Sequence, residues 1–358
     1  MATTAAQDKP PIETDALVVG AGPVGLFQVF QLGLLDIKAH VVDTLPHPGG
    51  QCIELYADKP IYDIPGTPRT SGRELVASLL KQVQPFGASF HLDQEVSTVA
   101  QQADGRFLVE TSTGTVFFAK TLFIAAGVGS FQAKRLKIDG LDKFENTQLF
   151  HHASEPALFA GKNVLVVGGD EAAVDGAARL AEPGPQQAQS VTLLHRRDVL
   201  QASAQVLARF DALRKSGAAR FQVGQVTGIS TAGDTLTAAH ITDVDGNTAA
   251  LPVDMMLVLL GLSPKLGPLT QWGLDMERKQ LLVDTEKFST SVPGIFAVGD
   301  INTYPGKKKL ILCGFHECAL AAFGAAELIF PDQKIQLQYT TTSPKLHKLL
   351  GVAPPESA

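Results

Sequence analysis

A short apolar run, Ala16-Leu17-Val18-Val19, breaks at Gly20-Ala21-Gly22-Pro23-Val24-Gly25 and resumes with Leu26, Val29, Phe30 and Leu34 at helical spacing. That pattern predicts a buried strand, a tight turn and a helix. A second strand is predicted at Ala39-His40-Val41-Val42, ending in Asp43. The same succession returns later as strand Asn163-Val164-Leu165-Val166-Val167, turn Gly168-Gly169-Asp170-Glu171-Ala172-Ala173 and a helix over 174–181. A strand over 190–194 then ends in His195-Arg196-Arg197. Phe123-Ile124-Ala125-Ala126-Gly127 and Ile295-Phe296-Ala297-Val298-Gly299-Asp300 read as strands that end in small residues. Residues 183–189 read as a surface loop, and 219–258 alternate as antiparallel strands do. Strands alternating with helices predict an α/β fold with two Rossmann-like domains.

The chemistry of the turns follows from their residues. Strand, GxGxxG turn and helix together are the context of a dinucleotide-binding unit. Gly20 permits the tight turn, Gly22 lets backbone approach a pyrophosphate, and Gly25 lets helix and strand pack closely. The pyrophosphate rests on the helix N-terminus, which Pro23 and Val24 open. Asp43 is placed to accept hydrogen bonds from a ribose 2′-hydroxyl and to repel a 2′-phosphate. In the second unit the strand end is basic instead, and Arg196 and Arg197 can clamp a 2′-phosphate bidentately. The bland alternative is a solvated strand end. The opposite charges point to FAD in the first unit and NADPH in the second. One residue objects. Asp170 stands where the middle glycine belongs, so its carboxylate weakens coenzyme binding unless it turns away to cap the helix.

Composition narrows the class. With 358 residues, 45% of them apolar, the chain can bury the cores of two domains. A net charge of −6 argues against gripping nucleic acid by bulk electrostatics. Cys52, Cys313 and Cys318 cannot form a disulfide framework, which points to a reducing compartment. Neither a signal peptide nor a long apolar span is evident, so a cytoplasmic protein with no membrane segment is expected, with residues 1–13 as an unstructured tail. No metal is expected, because Cys313, His316 and Cys318 lack zinc-site spacing. His151-His152 reads as an exposed loop. Lys307-Lys308-Lys309 reads either as a solvated loop or as a patch that steers an acidic electron carrier.

With Gly49-Gly50-Gln51 added to these motifs, the chain resembles the thioredoxin reductase group of pyridine nucleotide–disulfide oxidoreductases over about residues 15–350. Thioredoxin reductases carry a Cys-x-x-Cys just before the second glycine turn, where this chain reads Thr147-Gln148-Leu149-Phe150-His151-His152-Ala153. Disulfide exchange needs an attacking thiolate and a resolving thiol, so that activity is excluded. The chain is more similar to the thioredoxin-reductase-like ferredoxin–NADP reductases, through Leu55-Tyr56, Lys59-Pro60-Ile61-Tyr62-Asp63-Ile64, Phe131 and the extension Tyr339-Thr340-Thr341-Thr342-Ser343. It departs from them at Leu200 and Gln201, which replace an aromatic and an arginine.

The resemblance implies an FAD domain of residues 1–126 and 287–358 and an NADPH domain of 127–286, with hinges near Val128-Gly129 and 288–290. It implies that Gly20, Gly22, Pro23, Val24, Gly25, Asp43, Gly50, Gln51 and Val96 meet the FAD nucleotide, and that Gly299 and Asp300 meet its ribityl chain. Ala126, Gly127 and Phe131 complete the FAD set, and Gly168, Gly169, Ala172, Ala173, His195, Arg196 and Arg197 form the NADPH set. Tyr56 would stack on one flavin face. Tyr339, from the partner in a homodimer, would cover the other, with Thr340 or Thr341 near the reactive edge. The implied reaction passes hydride from NADPH to flavin N5 and then single electrons to ferredoxin or flavodoxin, with no side-chain general base. Two other readings are an FAD-binding protein with a degenerate NADPH domain and an NADPH-dependent quinone reductase or oxidase.

Overall fold

The computed structural model describes residues 10–151, 156–335 and 339–352, with the side chains of Phe131 and Gln132 left out. The chain forms two units, one of residues 1–130 and 265–358 and one of 131–264.

In the first unit the parallel strands Ser89–His91, Ala39–Val42, Ile12–Val19 and Val116–Ile124 lie side by side. Ile295–Ala297 adds parallel to the end of Val116–Ile124, while Phe107–Thr111 and Val96–Gln101 extend the sheet antiparallel. Val19 lies opposite both Val42 and Ile124, and Ile124 opposite Ala297. Gly20, Asp43, Ala125 and the Gly299–Asp300 turn therefore leave the sheet along one edge, the carboxyl edge where α/β sheets bind ligands. Side chains alternate across the strand: Ala16 and Val18 join the core that packs helices Pro23–Leu34, Gly72–Val83 and Ile311–Ile329, whereas Leu17 joins the opposite core around Phe107 and Phe117. Helix Ile311–Ile329 is long and apolar enough to cross a membrane by length and composition; its buried face carries Ala321, Ala322 and Ala325 against this core.

The second unit is a five-stranded parallel sheet in the order Leu149–Phe150, Met255–Val258, Asn163–Val167, Ser190–His195, Ala219–Val223. Helices Glu171–Ala181 and Ala204–Ser216 pack on one face. An antiparallel three-stranded sheet, Gln225–Ala232, Thr235–Thr242 and Thr248–Pro252, covers the other through Val226, Leu236, Ala239 and Ile241.

The fold corrects three expectations. Ile12 and Glu13 begin the first strand rather than ending a tail, and residues 1–9 lie outside the described set. Ala219–Val223 and Met255–Val258 are parallel strands of the main sheet, so only the middle of that stretch is antiparallel. Residues 265–286 belong to the first unit, not the inserted one, because Leu269, Leu274 and Leu281 are buried around Ile295 and Phe107. The chain accordingly returns at 264–265 rather than at 287.

Candidate functional site

In the first unit each glycine of the turn has its own spatial reason. A Cβ on Gly20, whose φ is +110°, would lie 2.5 Å from the Ala125 carbonyl oxygen, and one on Gly25 only 1.9 Å from that of Gly20. At Gly22 a Cβ would meet nothing nearer than the Gly50 Cα at 4.0 Å. Gly22 is the N-cap of Pro23–Leu34 and supplies no side-chain cap, so space stands open over the positive end of the helix. That open cradle fits a pyrophosphate.

Asp43 sits at its flank. One carboxylate oxygen accepts from the Ala21 N–H at 2.5 Å and the other from the Leu45 N–H at 2.8 Å. Burial pushes this carboxyl above the usual aspartate range, against the pull of those N–H donors. Each oxygen keeps acceptor capacity for a ribose hydroxyl. Gly49 N–H donates to the Ala21 carbonyl at 2.9 Å, which brings the Gly50-Gln51 turn onto the cradle. A Cβ on Gly127 would lie 3.1 Å from Gln51 Nε2, so those two expected residues also meet.

Tyr56 is half-buried, receives the Cys52 thiol at 3.5 Å, and stands close enough to Asp300 and Asp63 to feel both charges. Burial first, then Cys52 and these carboxylates, hold its phenol protonated far above the ordinary range. Tyr56 and Asp300 thus lie within electrostatic reach of one another. Val96 differs from expectation in manner: its side chain is buried in the core with Leu17 and Val42, so only its main chain can face a ligand. The side chain of Phe131 lies outside the described set.

The extension continues as a turn over Thr340–Thr342 and helix Pro344–Leu350, capped by the Ser343 hydroxyl. Leu346 is buried and Lys345 pairs with Asp36, which ties this helix to the first unit of its own chain. Tyr339, by contrast, is 71% exposed.

The second turn solves the same geometry differently. Asp170, at the position corresponding to Gly22, is the N-cap of Glu171–Ala181, and its Oδ1 accepts the Ala173 N–H at 3.1 Å. The carboxylate turns inward as a cap, as the sequence allowed. A Cβ on Gly168 would lie 2.2 Å from the Leu259 carbonyl oxygen, and one on Gly169 would strike the His195 ring at 2.5 Å. The His195 imidazole therefore lies on the turn, its pKa lowered by burial and by Arg196 and Arg197. Both arginines are exposed, and neither has an ion-pair partner among the described residues. Leu200 packs toward the core, while Gln201 N–H donates to the Gly169 carbonyl at 2.7 Å and buttresses the turn.

Two basic or histidine motifs are placed differently from the sequence reading. His151 is not an exposed loop residue: its side chain is 14% exposed beside Glu145, and His152 lies outside the described set. Lys307 is not solvated either, with a side chain only 6% exposed and paired to Glu317, while Lys308 and Lys309 are exposed. Sequence reasoning missed Glu317 and Gln280, which bond to the Gly299–Asn302 turn, and Asn302 within it, whose side-chain amide donates to Glu317 and to the Ala297 carbonyl. Glu317 alone gave a signal, as the one charged residue in the first sixteen of an apolar helix.

Residues 14–317 match the pyridine nucleotide-disulphide oxidoreductase family, and the chain belongs to it. A ferredoxin–NADP reductase of a Polaromonas species is 65% identical over 352 residues, covering 98% of this chain and 96% of that one. A second, from Polaromonas naphthalenivorans, is 63% identical with the same coverage. Among solved structures, Lactococcus lactis thioredoxin reductase superposes with a TM-score of 0.58 at 23% identity, covering 89% of this chain and 99% of that one. Staphylococcus aureus bacillithiol disulfide reductase gives 0.60 at 17%, covering 90% and 100%; at these identities the likeness concerns the fold alone.

Proposed function

We propose that this chain is an FAD-dependent ferredoxin–NADP reductase, an oxidoreductase that moves electrons between NADPH and ferredoxin. Relatives bearing that name at 63–65% identity over nearly the full chain support the activity. The observation that carries the cofactor assignment is the uncapped helix over Gly22, open above and flanked by Asp43.

FAD, when bound, supplies the exchange between a two-electron hydride donor and a one-electron carrier. The chain's own residues hold and orient. In this reading Gly20, Gly22 and Gly25 seat the pyrophosphate on the helix N-terminus, and Asp43 takes the adenosine ribose. Gly50, Gln51, Ala126 and Gly127 line the route onward, and Gly299-Asp300 holds the ribityl chain. Tyr56 presents an apolar ring whose hydroxyl stays protonated, excluding water from one flavin face. Arg196 and Arg197 present exposed guanidinium groups to a 2′-phosphate, and Gly168, Gly169, Ala172 and Ala173 form the coenzyme's turn.

A homodimer, flavodoxin as a second carrier and a cytoplasmic site of action complete the reading. The exposed ring of Tyr339 supports the first of these, because an aromatic left in solvent is available to a second copy. The test is reduction of a purified ferredoxin by NADPH with the purified, FAD-loaded protein. Turnover with ferredoxin is expected; flavin that bleaches with NADPH yet never passes electrons to ferredoxin would overturn the acceptor assignment.

A further inference from the structure

A buried ion pair lies beneath the Gly299–Asp300 turn. Glu317 is fully buried in helix Ile311–Ile329, and its carboxylate accepts four hydrogen bonds. Oε2 takes the Gly299 N–H at 2.7 Å and the Asn302 Nδ2 at 2.8 Å. Oε1 takes the Tyr304 hydroxyl at 3.0 Å and the Lys307 Nζ at 2.5 Å. Lys307 Nζ also donates to the Gly299 carbonyl at 2.8 Å. Both main-chain polar groups of Gly299 are thus consumed by one ion pair.

The same turn touches the cofactor cradle from the other side. Gly299 has φ +80°, and a Cβ there would press on Val24 at 3.2 Å; one on Gly314 would lie 2.5 Å from Val24 Cγ2. The Cys318 thiol donates to the Val24 carbonyl at 3.3 Å. Ion pair, turn and the first residues of Pro23–Leu34 are therefore stacked in direct contact. Asp300 follows immediately, with its carbonyl held by Gln280 Nε2 at 3.3 Å.

Replacing a buried ion pair by apolar or neutral groups is often neutral or stabilising, whereas removing one partner leaves an uncompensated charge. Stability is thus a poor reason for Lys307 and Glu317 to be here. Geometry is a better one. We propose that the Lys307–Glu317 pair is a positioning device for FAD, fixing the Gly299–Asp300 turn against Val24 so that Asp300 and the Gly22 cradle hold one ligand together. This rests on the reading that Asp300 and the cradle bind FAD. It also removes Lys307 from the basic run as a docking residue, because an ammonium with both acceptors inside the protein cannot meet a partner's surface.

The test measures the FAD dissociation constant by flavin fluorescence, and the melting temperature, on the full chain. The variants are Lys307→Met, Glu317→Gln and the two combined. Each single change is expected to weaken FAD at least ten-fold and to lower the melting temperature. In the double variant the melting temperature should rise above those of both single variants, because no charge is left unpaired, while FAD stays at least ten-fold weaker and holds it below the parent. A double variant that regains both, or one that does not fold, would make the pair a folding element and overturn the proposal. Asp300→Ala separates this from the underlying reading. No loss of FAD there sinks the reading of the turn; loss there with none in the ion-pair variants sinks the positioning role alone.

Discussion

The two glycine turns of this chain share a strand, a bend and a helix, yet they treat the helix N-terminus in opposite ways. At the first, Gly22 leaves the end of Pro23–Leu34 without a side-chain cap and with open space above it. At the second, Asp170 closes the end of Glu171–Ala181 with its own carboxylate. A bare N-terminus carries unsatisfied N–H groups and partial positive charge that a phosphate can take; a self-capped one has spent part of both. The difference matches what the proposed ligands need. A resident FAD has to stay through every turnover, whereas a coenzyme that comes and goes has to leave.

Exchanging the two solutions should have the largest effect. The Cβ of Gly22→Asp would meet only the Gly50 Cα, at an unstrained 4.0 Å, so the fold should survive, but its carboxylate would cap the helix and face the pyrophosphate. Two unit charges about 4 Å apart repel by roughly 4 kcal/mol at an effective dielectric of 20. FAD should weaken by about a hundred-fold or more, read as colourless protein after gel filtration with an unchanged far-ultraviolet circular dichroism spectrum.

Arg196→Ala comes next. A hydrogen bond to a charged group contributes roughly 1.5–3 kcal/mol. The Michaelis constant for NADPH should rise about ten-fold to a hundred-fold while that for NADH barely moves. Equal losses for both coenzymes would mean that Arg196 does not read the 2′-phosphate.

The reverse exchange, Asp170→Gly, should be smaller, because one carboxylate oxygen is already engaged by the Ala173 N–H. We expect NADPH to tighten by about five-fold, near the water-screened limit of roughly 1 kcal/mol. Glycine in place of a good N-cap costs only a few tenths of a kcal/mol, so calorimetry should show a slight fall in melting temperature. Unchanged or weaker NADPH binding would show that the carboxylate is no handicap.

The smallest effect concerns pH. His40 Nδ1 and His91 Nε2 lie 2.9 Å apart beside Phe117, and burial lowers the pKa of both below 6.5, helped at His40 by its neighbour's charge. The unfolded chain therefore binds protons that the folded chain refuses. Stability should be full above pH 6.5 and decline as pH falls from there toward the folded-state values. His91→Phe should flatten that slope in a series of melts.

The contrast between the turns was largely legible in the sequence, because both are local. Five or six consecutive residues carry the strand end, the glycines and the cap, and Asp170 announced its own alternative. What escaped was made by distance. Lys307 reads as one of three lysines until the fold brings Glu317 and Gly299 around its ammonium. Residues 265–286 contain no long periodic element, only short strands and a turn of 3-10 helix, so nothing in the pattern says that Leu269, Leu274 and Leu281 pack into the first unit. Gln280 and Asn302, which brace the Asp300 turn, are ordinary polar residues until their partners are placed.

The most direct measurement is an anaerobic titration of the purified yellow protein, following bleaching of the flavin band with NADPH and, separately, with NADH. The two-turn account predicts about one FAD per chain, retained through purification, and full bleaching by NADPH at concentrations at least ten-fold below those NADH requires. Equal potency of the two coenzymes would contradict the role of the basic strand end. Flavin that neither coenzyme reduces would contradict the account as a whole.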